Sequence, residues 1–144
     1  MTASAMAIYQ DFLDEMSAAL LEHDAEAFAR RIFLPHFIQT ETDRIELETT
    51  DEILANFHGF ANALAAQKVD SYIRLARRAT FETDARIVGE HESFMTSGGT
   101  LVVPKFANTS VLELKDGIWG STNTRHLARF VSWPDILPRF GDDA

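Results

Sequence analysis

Residues 102–128 read VVPKFANTSVLELKDGIWGSTNTRHLA. Two alternating runs flank Lys115-Asp116-Gly117, and Asp-Gly between such runs is the strongest short-range hairpin signal. Each arm extends to about ten residues, longer than the usual strand of about five or six. Arms of that length need a covering layer on one face, and the helical segments upstream can supply it. One face also carries Asn108, Ser110, Thr122, Thr124 and His126. That is too polar for an ordinary core face, so it reads as the lining of a pocket.

Outward from the hairpin, residues 85–96 form a further alternating strand, turned back by Ser97-Gly98-Gly99. Residues 69–81 form another, closed by Glu82-Thr83-Asp84. On the strand 69–81, Val69, Ser71, Ile73, Leu75, Arg77, Ala79 and Phe81 share one face. Upstream, residues 4–22 repeat apolar positions at helical spacing around Ile8, Phe12, Met16 and Leu20, with Ser4 as N-cap. Asp24 caps a second helix running to about Ile32, which Pro35 stops. The segment 36–49, HFIQTETDRIELET, alternates on both sides of Asp43-Arg44 and reads as a small hairpin or bulged strand. Thr49 and Glu52 fit a capping box opening a third helix to about Gln67. Helices followed by a meander of strands predict an α+β fold, three helices on a curved, mostly antiparallel sheet.

The chain has 144 residues, 46% hydrophobic and 24% charged, which suits one domain over 1–144 with a docked or partly flexible tail from residue 130. The tail residues 132–140 are apolar enough to dock. The 22 acidic and 13 basic residues leave a net charge of −9, which disfavours nucleic acid as a partner. No apolar run approaches the ~20 residues of a membrane span. The first residues lack a signal-peptide pattern, so the expected location is cytoplasmic. With no cysteine, disulfides and thiolate chemistry are excluded. Basic residues cluster once, at Arg74, Arg77 and Arg78. They read as a solvated or subunit-facing surface, with an anion site as the alternative.

The helix pair YQDFLDEMSAALLEHDAEAFARRIF with its His-Asp break, the strand after Leu34-Pro35, the capped third helix and the closing LELKDGIWGSTNTRH together resemble the NTF2-like superfamily. Within it they are most similar to the SnoaL-like and ketosteroid-isomerase-like small proteins. The resemblance spans about residues 5–128. It implies a cone, in which a curved sheet wraps the helices around a deep pocket, and a homodimer pairing sheet to sheet. It implies an isomerase, cyclase or dehydratase in some relatives and ligand binding in others. The ketosteroid-isomerase residues themselves do not match. Thr40 stands where the aspartate base belongs, with Glu41 beside it. Met16 stands in place of the tyrosine donor, and residues 108–110 in place of the protonated aspartate.

Alternation sorts the strand faces independently of the family. His91 shares a face with Ile87, Gly89, Ser93 and Met95, and Asn108 with Phe106 and Ser110. Thr124 and His126 share one with Gly120 and Thr122, set against Trp119, Ser121, Asn123 and Arg125. His91, Asn108, Thr124 and His126 are therefore expected in one cavity with Phe12, Met16, Phe57, Phe60 and Thr40. His126 and His91 are the candidate catalytic residues, since imidazole titrates near neutrality. The competing reading is that both merely satisfy neighbours on a sheet face. His36 either faces the same cavity or sits in the turn after Pro35. No helical metal-ligand spacing is present, and neither metal nor cofactor is expected. Tyr72, Arg74, Ala76 and Arg78, with Trp119, Asn123, Arg125 and Leu127, read as the outer, dimer-forming face.

The chain therefore reads as an NTF2-like protein binding a small, amphipathic or cyclic organic molecule. The alternatives are a cofactorless isomerase, cyclase or dehydratase using a pocket histidine, and a protein-interaction module without ligand.

Overall fold

The computed structural model describes residues 3–40 and 43–127. Helix α1 (Ala5–Glu22) begins at Ser4, whose hydroxyl accepts the Ala7 N–H at 3.1 Å. Helix α2 (Ala25–Ala29) begins at Asp24, which caps Ala27 N–H at 3.1 Å. Helix α3 (Thr50–Ala66) opens with the expected capping box: Thr49 Oγ1 accepts the Glu52 N–H, and the Glu52 carboxylate accepts the Thr49 N–H, both at 3.2 Å. Each cap satisfies backbone donors that the first turn leaves unpaired.

Strands β1 (Ile32–Gln39), β2 (Arg44–Leu47), β3 (Ser71–Thr83), β4 (Arg86–Ser97), β5 (Thr100–Leu101), β6 (Phe106–Lys115) and β7 (Ile118–His126) form one sheet in the order β2-β1-β7-β6-β4-β3, with β5 beside β4. The β1–β7 pairing is parallel and the others are antiparallel. The sheet curves around the three helices, with the apolar core between the layers. The closing hairpin forms as its sequence demands. Asp116 (φ 52°) and Gly117 (φ 78°) both adopt the left-handed conformation that a tight two-residue turn requires.

Three expectations about the elements are corrected. The second helix ends at Ala29, and Ile32 already belongs to β1. Pro35 therefore does not stop a helix. It lies inside β1, where the pairing with β7 shifts register between Ile32 and Phe37 and the missing N–H breaks no regular ladder. The buried stripe of α1 runs through Tyr9, Phe12, Leu13, Met16 and Leu20, while Ile8 is only partly buried. The third correction concerns β3. Tyr72 is buried, Arg74 lines the interior, and Ala76 packs on the core. Ile73 and Leu75 are the exposed residues, at 49% and 39%. A register shift between Ala76 and Arg78 then turns both Arg77 and Arg78 outward, onto Glu92 and Glu90 of β4. Trp119 also packs against the core, so it leaves the expected outer surface. The tail residues 132–140 lie outside the described residues.

Helix and sheet meet closely at one point. The fully buried Tyr9 ring sits over Gly89, where an added Cβ would fall 2.6 Å from ring carbon Cζ. We expect Gly89→Ala to destabilise the fold by ~1–3 kcal/mol, the usual cost of overpacking. Urea denaturation measures this, and an unchanged midpoint would show that the ring is free to move.

Candidate functional site

The sheet and the three helices line a cavity of about 60 Å³. On that measure one water needs ~10–15 Å³, so the space admits several waters or a molecule of about one ring. Phe12, Met16 and Leu20 of α1, Phe28 of α2 and Phe60 of α3 form its apolar side.

The sheet supplies the polar side through register. His91, Asn108 and His126 are direct cross-strand partners on β4, β6 and β7, so they form one row across three strands. Gly89, Ser110 and Thr124 form the adjacent row, and Ser110 and Thr124 line the cavity as well. The Ser93 hydroxyl donates to Asn108 Oδ1 at 3.0 Å, and Asn108 Nδ2 donates to His126 Nδ1 at 2.5 Å. An amide nitrogen is only a donor, so His126 Nδ1 accepts and the proton of the neutral ring sits on Nε2. The Tyr9 hydroxyl and His91 Nδ1 lie 2.6 Å apart, and His36 Nε2 and Ser121 Oγ 3.1 Å apart.

All three histidines are held neutral. Burial pulls His36 down to about 4 from 6.5. Burial first, then the Arg74 charge, pulls His126 to about 3 and His91 to about 2. Burial likewise raises the Tyr9 and Tyr72 phenols, and the Arg74 charge works against both. Where a group is buried its charged form loses most of its hydration, so the neutral forms prevail.

His126, His91, Asn108, Thr124, Met16, Phe12 and Phe60 thus come together around one cavity. Phe57 and Thr40 do not join them. Phe57 is fully buried in the core, its ring 5.0 Å from that of Phe28. Thr40 follows the last residue of β1 and is tied into the turn with Asp43, whose N–H it accepts at 3.0 Å. Glu41 lies outside the described residues. His36 stands in β1 facing the cavity rather than in a turn.

Several lining residues escaped the sequence reading. Ser121 turns inward, and Thr122 does not, because the β6–β7 register shifts there: Val111 pairs with Asn123 and Leu112 with Ser121. Asn56 was hidden on the stripe of α3, three residues after Ile53 and four before Phe60, a spacing that does mark the inward face. Tyr9, which does not line the cavity but reaches His91 behind it, carried the same kind of signal, three before Phe12 and four before Leu13. Arg74 carried none, because a charge on a strand reads as solvent-facing. Three cavity-lining residues also hold buried polar atoms without a hydrogen-bond partner: Asn56 Nδ2, His36 Nδ1 and Arg74 Nε. Each such atom ordinarily costs ~1–3 kcal/mol, so each is a point at which a bound molecule gains.

No protein-family model matches the sequence, and no curated protein matches it. Solved structures do match, and they define the class: the chain has the NTF2-like, or cystatin-like, cone fold. An NTF-2 like protein of unknown function from Shewanella oneidensis is 12% identical, with a TM-score of 0.68 over 84% of this chain and 97% of that one. A domain of unknown function with a cystatin-like fold from Nostoc punctiforme is 14% identical, with a TM-score of 0.67 over 91% of this chain and 81% of that one. A hexachlorocyclohexane dehydrochlorinase from Novosphingobium barchaimii is 14% identical, with a TM-score of 0.57 over 83% of each chain. At these identities the likeness is one of fold.

The depressed histidines make stability depend on pH with a definite sign. Their folded values lie below the unfolded 6.5, so the unfolded chain binds more protons in the interval between. The stabilisation is whole above 6.5 and drains as the pH falls towards 4 and below. We expect His36→Gln, which cannot take up that proton, to lose stability less steeply than the wild type over this interval in urea melts. Parallel slopes would contradict the assignment.

Proposed function

We propose that the protein binds a small, amphipathic organic molecule of about one ring in this cavity. The observation that carries the reading is the row His91–Asn108–His126, buried, neutral and locked by hydrogen bonds, facing an apolar wall of Phe12, Met16 and Phe60. An apolar pocket with a few directed polar groups is the usual form of a small-molecule site. Neutral imidazoles with fixed tautomers offer donors and acceptors at set positions. They are weak bases, whereas a general base works best with a pKa near the operating pH.

That contrast ranks binding ahead of cofactorless isomerisation, cyclisation or dehydration by His126 with His91 or Asn108, the second reading. One of the structural neighbours is a dehydrochlorinase, which keeps elimination chemistry within the scope of the fold. A ligand-free interaction module is third, because it gives the unpartnered polar atoms of the cavity no role. Native mass spectrometry of the gently purified protein tests the ranking. We expect the chain to carry a small organic mass that denaturation releases. A bare chain that also shows no response to small cyclic compounds would overturn binding. His126→Ala should leave ligand affinity within roughly tenfold, the worth of one hydrogen bond. Under catalysis turnover would instead fall by about 10² to 10⁴.

We also propose a sheet-to-sheet homodimer, through different residues from those expected above. Ile73, Leu75 and Val88 expose 49%, 39% and 37% of their surface on the outer face of β3 and β4. Ile73 and Leu75 stand together there, with Val88 beyond the Arg77–Glu92 and Arg78–Glu90 pairs, and exposed apolar side chains on a sheet face suit an interface. Light scattering should give twice the chain mass, and Ile73→Lys should shift it towards the monomer. A wild-type monomer would refute the pairing.

A further inference from the structure

Arg74 is the one charged side chain among the described residues that line the cavity. Its neighbours on β3 are compensated: Arg77 pairs with Glu92 at 2.6 Å and Arg78 with Glu90 at 2.8 Å, both on the outer face. Arg74 has no such partner. Among the described residues no carboxylate lies within ion-pair distance of it, and the cavity lining contains no acid. Its guanidinium carbon stacks 4.3 Å from the Tyr72 ring centroid, and its Nε is buried without an acceptor.

The position of Arg74 is built rather than incidental. Gln10 of α1 donates through Nε2 to the Arg74 carbonyl at 2.6 Å, and its Oε1 accepts the Ala76 N–H at 2.8 Å. This side-chain amide bridges the backbone on either side of Leu75, just before the register shift of β3. The bridge holds the strand so that Arg74 turns in while the next two arginines turn out. A cation facing a low-dielectric space without a counter-charge is costly, and a ligand anion supplies the missing charge where the field is strongest.

We propose that the ligand is a monocarboxylate on a single ring, with its carboxylate on Arg74 and its ring against Phe12 and Phe60. The planar guanidinium fork matches a carboxylate. A phosphate dianion would bring a second charge that no other cation among the described lining residues meets. The inference rests on the binding reading above and narrows it to one ligand class.

Benzoate and benzamide, nearly equal in shape and different in charge, test it by amide chemical-shift titration at millimolar concentration. The wild type should bind benzoate roughly tenfold or more tighter than benzamide, as expected for a charge-assisted hydrogen bond. Phenyl phosphate should bind more weakly than benzoate. Arg74→Met should erase the preference by lowering benzoate affinity far more than benzamide affinity, and Arg74→Lys should restore part of it. Equal affinity of the wild type for both compounds would overturn the carboxylate assignment while leaving the binding reading intact. No response in the cavity to either compound would overturn both. A tighter fit for phenyl phosphate would overturn the choice of carboxylate.

Discussion

The Asn108 amide ties three adjacent strands together at the cavity wall. It accepts from Ser93 on β4 at 3.0 Å and donates to His126 on β7 at 2.5 Å, while its own backbone lies on β6. The tie exists only in one register. The turn at Asp116-Gly117 sets the start of the β6–β7 pairing, and the extra residue Thr122 shifts it. After that shift, Thr124 and His126 return to the inner face opposite Ser110 and Asn108. A slip by one residue would carry the whole row to the outer surface. The polar wall and the hairpin register are therefore one constraint.

The same wall explains the charge state of the site. Each of its three histidines has one ring nitrogen held by a neighbour on another element: Tyr9 of α1 for His91, Ser121 of β7 for His36, Asn108 of β6 for His126. Satisfied networks of this kind rigidify a core, and a low local dielectric strengthens them. It also penalises any net charge. The histidines respond by staying neutral, and Arg74, which cannot, stands as the single cation among the described lining residues. Gly89 belongs to the same design, since its missing side chain leaves the space in which the Tyr9 ring reaches His91.

Much of this was legible in the residues. The Asp-Gly turn announced the hairpin, the Thr49–Glu52 pair announced α3, and strict alternation on β4 and β6 turned His91 and Asn108 inward. What alternation misses is any strand that breaks its own period. Ser121 reads as outward by alternation, whereas Thr122 is an extra residue visible only in the pairing with β6. Arg74 reads as outward because a charge on a strand ordinarily marks solvent, and only its packing with Gln10 and Tyr72 shows otherwise. Pro35 looked like a helix stop because nothing in one sequence distinguishes that from a strand irregularity. Phe57 shares the apolar face of α3 with Phe60, yet it meets Phe28 in the core while Phe60 reaches the cavity. A stripe gives a direction and not a depth.

The central claim is that the cavity wall presents a neutral His126 with its tautomer fixed by Asn108. The imidazole nitrogen chemical shifts of His126 in the folded protein at neutral pH test it most directly. The structure requires an unprotonated Nδ1 that accepts from the amide and a protonated Nε2. A doubly protonated ring, or a proton on Nδ1, would contradict the account.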